Sequence, residues 1–304
     1  MKTRKYAPGS EWLYFKIYTG YKTADTLLLN SIYPLITSLK RKKYIQQFFF
    51  IRYSDPHHHI RVRLHITEPE YLGEIMILFN HIFSKLLNNN TVWKIQMDTY
   101  NREVERYNIH LMEQSEHFFH IDSDAVITIL KTINAQYSNR EDIKWIIGLK
   151  LIDDTLNLFY DKEEDKMDII SKMSESFKIE FGFDQFNSKQ FNEKYRENKI
   201  KIENVLSGAE IIEDQNYIPL YALCGKRYKD LLPIVAAMKQ IQIEKKISNT
   251  IAFDLIHMLL NRLIPAQNRL HELLLYDFVK RYYASTMARK NNTKNIKYKQ
   301  KVLV

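Results

Sequence analysis

The sequence predicts an α+β fold in which an antiparallel sheet comes first and a mostly helical region follows. Within residues 1–100, alternating apolar and polar residues mark strands that two helical segments separate in the order β-α-β-β-α-β. From residue 122 onward, apolar residues recur at helical spacing. The order of the first elements is typical of a ferredoxin-like layer, and only seven glycines interrupt the chain of 304 residues.

The outer strands and the first two helices follow from local composition. Residues 12–19 are rich in aromatic residues and predict the first strand. An apolar stripe predicts a helix over residues 23–42, and a second helix runs over residues 67–87. Residues 92–100 alternate again and predict the last strand of the layer.

The central hairpin, QQFFFIRYSDPHHHIRVRLHI at residues 46–66, carries the most informative pattern. Residues 59–66 alternate strictly, so that apolar side chains share one face of a strand and basic side chains share the other: Ile60, Val62, Leu64 and Ile66 against His59, Arg61, Arg63 and His65. Two arginines side by side on a rigid strand suit a carboxylate or a phosphate. The alternative is an antiparallel strand with one solvated face, whose arginines meet water.

The rest of the chain predicts helices over residues 124–134, 141–160, 162–181, 185–206, 228–246, 248–263 and 266–284. No repeat or low-complexity linker separates the two halves. We therefore expect one integrated domain over residues 1–284, with residues 1–121 mainly sheet-forming and residues 122–284 mainly helical. Residues 285–304 form a basic tail.

Composition disfavours several classes of protein. The net charge of +9 suggests nucleic-acid binding, but much of the excess lies in the tail, which has no acidic residue. The single cysteine, Cys224, excludes an internal disulfide framework. The sequence shows neither an apolar signal segment nor a stretch suited to spanning a membrane, so we expect a cytoplasmic protein.

Two histidine-containing segments are candidate metal sites, and each has a simpler interpretation. The triple histidine at 57–59 has no partner ligands at a characteristic spacing. Glu113, His117 and His120 share one helix face, but the adjacent phenylalanines equally indicate an amphipathic helix. The motifs HExxH, GxGxxG, GxSxG and the P-loop are missing from the sequence, which disfavours hydrolase, dehydrogenase and ATPase functions. We expect no metal site.

The predicted helix over residues 248–263 carries a polar stripe on an apolar background. Asp254, His257 and Asn261 are three and four residues apart and share one face. Buried polar groups need partners. His257 is therefore either a hydrogen-bonded core histidine or a group that moves a proton near neutral pH.

Three separated segments together resemble one family: FFFIRYSDPHHHIRVRL, DTYNREVERY with the following MEQSEHFFHIDS, and SNTIAFDLIHMLLNRL. They fall in the order found in the elimination domain of lantibiotic dehydratases, which also occurs as free-standing proteins in lanthipeptide and thiopeptide biosynthesis. The opening WLYFKIYTG also fits. The resemblance covers nearly the whole chain.

This resemblance implies a lyase that carries out the second stage of a tRNA-dependent dehydration. A separate, larger enzyme would move glutamate from glutamyl-tRNA onto Ser or Thr of a precursor peptide. This chain would then expel glutamate and leave dehydroalanine or dehydrobutyrine, with no metal, cofactor or tRNA of its own. Both a homodimer and a complex with the glutamylating enzyme are compatible with the family.

By the same resemblance, the catalytic residues are Arg61, Arg63, Arg106 of the ERY motif, and His257. His257 would take the Cα proton or protonate the departing group. We also expect three residues to bind substrate: His59, Asn261 and Arg262. The chain departs from the family at residues 107–109, where Tyr-Asn-Ile replaces the common Tyr-Gly-Gly and restricts the turn after Arg106.

Two other functions stay open. A related free-standing branch of the same fold forms the nitrogen heterocycle of thiopeptides by cycloaddition of two dehydroalanines, and we expect that branch to lack the full set of arginines and histidine found here. The second alternative function is that of a catalytically silent subunit, which binds the precursor peptide or the glutamylating enzyme. Elimination of glutamate distinguishes the first interpretation from both.

Overall fold

The computed structural model describes residues 3–182, 184–208 and 217–302, with side chains described for all of these except 185, 186 and 292–302. The chain folds as two compact units. Met1–Arg140 and Ala222–Asn268 form the first unit, and Glu141–Tyr221 and Arg269–Val304 form the second. The single integrated domain expected from the sequence stays a prediction.

The first unit contains all the strands among the described residues. The chain passes through β1 (Lys5–Tyr6), β2 (Trp12–Tyr18), α1 (Tyr21–Leu27), a π-helical segment (Leu28–Ile32), α2 (Tyr33–Arg41), β3 (Ile45–Tyr53), β4 (His59–Ile66), a 3₁₀ turn (Pro69–Tyr71), α3 (Leu72–Asn88), β5 (Lys94–Met97), β6 (Tyr100–Asn101), α4 (Val104–Tyr107) and α5 (Met112–Gln136). The helices that follow are α6 (Arg140–Phe159), α7 (Glu163–Glu180), α8 (Gln185–Ser207), α9 (Ile218–Lys245), α10 (Ile251–Leu263) and α11 (Asn268–Val302). Most of α9 and all of α10 belong to the first unit.

Four strands form an antiparallel sheet in the order β3-β4-β2-β5, and β1 pairs separately with β6. This order, with one helical connection on each side of the β3-β4 hairpin, confirms the predicted ferredoxin-like start of an α+β fold. The apolar face of the sheet packs on α3, where Phe15 stacks on Phe79 with ring centroids 4.3 Å apart. Val62 and Leu64 of β4 are buried in the same core.

The first connecting helix is interrupted, whereas the pattern predicts one helix over residues 23–42. A π-helical segment separates α1 from α2, and Pro34 follows it in the first turn of α2. Proline has no backbone N–H and cannot continue the regular hydrogen-bond pattern of an α-helix. A local π turn accommodates this break without ending the helical path.

Side chains of α5 bond to the outer edge of β3, which is an edge strand of the sheet. The Phe48 N–H lies 3.3 Å from His120 Nδ1, and the Phe50 N–H donates to Ser123 Oγ at 3.2 Å. His120 and Ser123 are three residues apart, so they face the strand together. An edge strand would otherwise leave these backbone groups unpaired.

The third contact at this edge comes from α10. The Arg52 N–H donates to Asn261 Oδ1 at 2.9 Å, and Asn261 Nδ2 donates to the Arg52 carbonyl at 3.0 Å. One amide side chain therefore satisfies both the donor and the acceptor of a strand residue. α5 and α10 together close the edge of β3.

The second unit is built from α6, α7, α8 and α11 among its described residues. Phe177 packs edge-on against Tyr276 at a centroid distance of 5.1 Å, and Lys178 pairs with Asp277 at 2.8 Å. Helix α11 continues to Val302, so the predicted basic tail is helical up to that residue. No helix in the described ranges is long and apolar enough to cross a membrane.

Replacing His120 by asparagine should weaken the pH dependence of stability. Burial lowers the pKa of His120, so the folded protein keeps the imidazole neutral while the unfolded chain takes up a proton near pH 6.5. The unfolded state then binds more protons, and the free energy of unfolding falls as pH drops below about 6.5. Asparagine does not titrate but still hydrogen-bonds. Urea unfolding between pH 7.5 and 5.5 measures the difference.

The matched control for this test is His81→Asn, since His81 is exposed on α3. The control should keep the steeper slope of the wild-type protein. If His120→Asn and wild type lose the same stability over this pH range, His120 does not contribute the proposed proton linkage.

Candidate functional site

The basic row of β4 lies on the face of the sheet opposite the α3 core. Arg61 pairs in register with Lys16 of β2, and Arg63 pairs with Tyr14. The face is not simply solvated, because His59 is only 1% exposed and Arg63 only 6%. The alternative of arginines that merely meet water therefore does not describe this strand.

Arg61 is held in place by its neighbour two residues earlier. Its Nε–H donates to His59 Nε2 at 3.0 Å, and its guanidinium lies 3.4 Å from the ring centroid of Tyr53. His59 Nδ1 lies 2.8 Å from the His57 carbonyl oxygen. Burial lowers the pKa of His59, so the neutral ring donates from Nδ1 and accepts at Nε2. His59, which we expected to bind substrate, thus orients Arg61.

Arg63 is surrounded by aromatic rings. Its guanidinium lies 4.4 Å from the ring centroid of Tyr14, 4.9 Å from that of Tyr100 and 5.1 Å from that of Phe49. Its buried Nε has no hydrogen-bond partner. Within the described ranges, neither Arg61 nor Arg63 forms an ion pair with a carboxylate. Both arginines keep N–H groups available to an anion.

A narrow cleft opens beside Arg63. Its enclosed volume is small, about 20 Å³, which is room for about one water molecule. Its lining combines aromatic, apolar and charged side chains: Phe49, Ile51, Arg63, Tyr100, Asn101, Glu103, Tyr107, Met112, Phe119, Met258 and Arg262. The lining comes from β3, β4, the segment from β6 to α5, and α10, all of the first unit.

Arg106 connects α4 to α10 through a carboxylate. Its Nε lies 2.9 Å from Asp254 Oδ1, and its Nη1 lies 3.5 Å from Glu103 Oε2. Burial raises the pKa of Asp254, and the charges of Arg106 and then His257 oppose that rise. Asp254 therefore lies within the electrostatic reach of both predicted catalytic residues. Unlike Arg61 and Arg63, Arg106 already has an acidic partner.

The structure places His257 next to the cleft rather than in its lining. His257 is half-buried on α10, and the following residue, Met258, lines the cleft. Glu103, the ion-pair partner of Arg106, also lines it. Of the four predicted catalytic residues, Arg63 alone is among the described lining residues. The other three lie in elements that border the cleft.

Asn261 and Arg262 differ in their access to the cleft. The Asn261 amide is occupied by the Arg52 backbone, as described above. Arg262 is fully buried yet lines the cleft. Its Nε–H donates to Ser123 Oγ at 3.2 Å, and its carbonyl accepts from Arg52 Nε at 3.0 Å. The predicted substrate contact of Arg262 fits this position and stays a prediction.

Sequence reasoning missed a buried ion pair that supports the cleft. Arg102 binds Glu116 through two contacts, Nε to Oε1 at 2.8 Å and Nη2 to Oε2 at 2.6 Å. Tyr100 Oη donates to the same carboxylate at 2.8 Å. Such a paired, hydrogen-bonded charge fixes the geometry of its neighbours. The signal available in the sequence was a glutamate on the apolar side of an amphipathic helix.

The two candidate metal segments serve other purposes. His117 bridges the Glu113 carbonyl and the Gln47 amide, with contacts of 2.9 and 2.8 Å from its two ring nitrogens. His120 binds the backbone of β3, and His59 orients Arg61. The part of the chain that the structure describes contains no group of three or more His, Cys, Asp or Glu placed to hold a metal ion.

Comparison with known proteins identifies the family. The sequence profile described as lantibiotic biosynthesis dehydratase C-term matches residues 12–283. The chain belongs to this family. The resemblance predicted from three short segments is thereby confirmed.

Curated relatives within the lantibiotic dehydratase group are longer than this chain. Nisin biosynthesis protein NisB of Lactococcus lactis subsp. lactis is 25% identical over 294 residues, which cover 94% of this chain and 26% of NisB. Subtilin biosynthesis protein SpaB of Bacillus subtilis is 30% identical over 132 residues, which cover 41% of this chain and 12% of SpaB. The chain thus spans about a quarter of the length of NisB.

Solved structures share the fold. The tRNA-dependent lantibiotic dehydratase MibB from Microbispora sp. 107891 matches with a TM-score of 0.75 at 17% identity, over 94% of this chain and 29% of that chain. The pyridine synthase TbtD from thiomuracin biosynthesis matches with a TM-score of 0.63 at 14% identity, over 90% of this chain and 99% of that chain. At such identities the likeness concerns the fold.

Asn108 stands where the resemblance to the family led us to expect the first of two glycines. Its φ is +62°, in the region that favours glycine. Asn108 Oδ1 accepts from the His110 N–H at 2.9 Å, and its carbonyl accepts from the Leu111 N–H at 3.1 Å. The turn after Arg106 therefore keeps its glycine-like backbone, because the asparagine side chain stabilises it locally.

Substitutions of Asn108 should separate backbone conformation from side-chain chemistry. Asn108→Ala should lower the free energy of unfolding by about 1–2 kcal/mol, because alanine tolerates this φ poorly and cannot bond to His110. Asn108→Gly should stay within about 0.5 kcal/mol of wild type, since glycine adopts the conformation freely. Urea unfolding of the two variants tests this, and an equal loss in both would contradict the conformational explanation.

Proposed function

We propose that this chain eliminates glutamate from glutamylated Ser or Thr residues of a ribosomal precursor peptide and leaves dehydroalanine or dehydrobutyrine. One observation carries the proposal: Arg61 and Arg63 stand side by side on a covered strand, and among the described residues neither is neutralised by a carboxylate. Similarity to NisB over 94% of the chain supports the same activity. The proposed enzyme class is a lyase.

The reaction moves one proton and one electron pair. A base removes the Cα proton of the glutamylated residue, and the electron pair is delocalised onto the adjoining amide oxygen as an enolate. The pair then forms the Cα–Cβ double bond as the Cβ–O bond breaks, and glutamate leaves as a carboxylate. Negative charge therefore develops on the adjoining amide oxygen and on the leaving group, and preorganised donors at both places lower the barrier.

Arg61 and Arg63 are the proposed stabilisers of this charge. Each guanidinium presents a planar set of N–H donors, and arginine stays protonated at neutral pH. Aromatic rings rather than carboxylates surround Arg63, so its charge is directed at the substrate instead of at a permanent partner. The low local dielectric strengthens such interactions.

His257 is the proposed proton-transfer residue, either as the base for Cα or as the acid for the leaving glutamate. Asp254 lies one turn before it on α10 and interacts with it electrostatically. Arg106 holds Asp254 from α4. We propose that Arg106 acts at least in part by positioning the Asp254 and His257 pair.

The proposed partners are a glutamylated precursor peptide and a separate glutamyl-tRNA-dependent enzyme that supplies it. The region shared with NisB and MibB covers 26% and 29% of those proteins. Elimination is redox-neutral, and the residues named above supply its charges and its proton. The proposal therefore includes no metal and no cofactor.

A pyridine-forming function is the second candidate, and one observation favours it. The pyridine synthase TbtD shares the fold of this chain with a TM-score of 0.63 over 90% of this chain. That function would use dehydroalanine residues as substrates rather than produce them. The two candidates therefore predict different products from a glutamylated peptide.

Incubation of the protein with a synthetic glutamyl-Ser peptide should release glutamate and yield the dehydroalanine peptide, detected by mass spectrometry. The reaction should proceed without ATP, metal or tRNA. An unchanged peptide, both alone and with the glutamylating enzyme present, would refute the elimination function. Conversion of a bis-dehydroalanine peptide to a pyridine would then establish the second candidate.

Arg61→Ala and His257→Ala should each lower the elimination rate by about 10² or more, because each removes a group that acts on developing charge or on a proton. The matched controls are Arg41→Ala and His81→Ala, whose side chains are exposed on α2 and α3. The controls should keep wild-type rates. Full activity of both Arg61→Ala and His257→Ala would refute the site assignment.

A further inference from the structure

A cavity in the second unit is much larger than the cleft beside Arg63. It holds about 330 Å³, against about 20 Å³ for the cleft. Its described lining comes from α6, the first turn of α7, the end of α8 and the middle of α11, all of the second unit. Pockets that bind small molecules begin at about this volume. The cavity therefore has room for a small organic ligand.

A buried carboxylate, that of Asp153, lines this cavity and is only 9% exposed. Tyr283 Oη donates to Asp153 Oδ1 at 2.5 Å, and Asn157 Nδ2 donates to Asp153 Oδ2 at 2.9 Å. Both donors are neutral, so they orient the carboxylate without balancing its charge. Burial raises the pKa of Asp153. Each carboxylate oxygen can accept a further hydrogen bond, and a cationic group in the cavity would stabilise the ionised form.

The amide of Asn157 lies between this carboxylate and an ammonium group. Its Nδ2 donates to Asp153, and its Oδ1 accepts from Lys166 Nζ. Lysine has three N–H donors, and this contact uses one of them. At the exposed mouth of the cavity, Lys290 pairs with Glu163. The charges of the described lining therefore sum to zero but are separated in space, which suits a neutral ligand with separated charges.

We propose that this cavity binds a free dipeptide, with the ammonium group of the ligand at Asp153 and its carboxylate at Lys166. A dipeptide carries an ammonium group, a central amide and a carboxylate in this order. The lining presents a carboxylate, an amide and an ammonium group in the complementary order. Leu206, Met287 and the ring of Tyr282 supply apolar surface, so the ligand has apolar side chains. This site goes beyond the proposed elimination and does not depend on it.

Calorimetric titration of the full chain with L-leucyl-L-leucine, L-phenylalanyl-L-leucine and L-leucyl-L-phenylalanine tests the site directly. At least one of these dipeptides should bind with a stoichiometry of one per chain. Its N-acetyl derivative lacks the ammonium group and its C-terminal amide lacks the carboxylate. Each derivative should bind about tenfold or more weakly, because a charged hydrogen bond is lost. Binding by none of the three dipeptides, or equal affinities of the derivatives, would overturn the inference.

Asp154→Asn is the matched control for Asp153→Asn. Both aspartates are buried on α6, but Asp154 pairs with Lys150 and is not among the described lining residues. Asp153→Asn keeps the shape of the side chain and removes its charge, so dipeptide affinity should fall about tenfold or more. Asp154→Asn should retain the affinity within about threefold. Equal losses in both variants would reflect a general change in α6 and would overturn the inference.

Lys166→Met covers the case in which Asp153→Asn does not fold, since Lys166 is only half-buried. This variant should bind the dipeptide and its C-terminal amide with equal affinity, because the partner of the ligand carboxylate is gone. The matched control is Lys162→Met, whose side chain is exposed just before α7 and is not among the described lining residues. The control should keep the preference for the carboxylate. Persistence of that preference in Lys166→Met would overturn the inference.

Discussion

The closed edge of β3 is the constraint on which the candidate site depends. Ser123 Oγ accepts hydrogen bonds from both the Phe50 N–H and Arg262 Nε, so one hydroxyl joins strand, α5 and α10. Asn261 adds two bonds between α10 and Arg52. His257 lies one turn before Asn261. The position of its helix relative to the sheet is thus fixed by backbone hydrogen bonds rather than by loop conformation.

Aromatic rings stabilise the positive charges of the arginines on β4. The positive charges of the buried Arg63 and the half-buried Arg61 need compensation, and carboxylates would provide it by occupying the N–H donors that an anion needs. Tyr53 lies against Arg61, and three rings surround Arg63. Cation–π contacts stabilise the charge without consuming the N–H donors in the guanidinium plane. The arginines of the strand are therefore stabilised while some of their N–H donors stay available to an anion.

Local patterns in the sequence predicted the layer of strands and the basic row correctly, because alternation and helical spacing involve neighbouring residues. The pairing of distant residues was not accessible in this way. Arg227 and Asp122 are 105 positions apart, and no local pattern joins them. The two hydrogen bonds between Asn261 and Arg52 join residues that are 209 positions apart. Sequence alone therefore did not show that the Asn261 amide bonds to the Arg52 backbone, and its expected contact with substrate stays a prediction.

The turn at Asn108 shows a different limit. The resemblance drew attention to Asn108 because a glycine was expected there. The sequence did not show which backbone conformation Asn108 adopts. Its positive φ is set by the turn between α4 and α5, and the hydrogen bond to His110 makes that conformation acceptable for asparagine. A positive φ of this kind is required by the direction in which the turn connects the two helices. The identity of the residue indicates that requirement only in part.

The neutral imidazole of His59 links proton concentration to the geometry of the candidate site. Its Nε2 accepts from Arg61, and a proton on that nitrogen would replace an acceptor with a second positive charge 3.0 Å from the guanidinium nitrogen. Arg61 would then move away from its position. The acidic limb of a pH–rate profile of the proposed elimination would therefore report the displacement of Arg61, and it would not by itself identify the catalytic base.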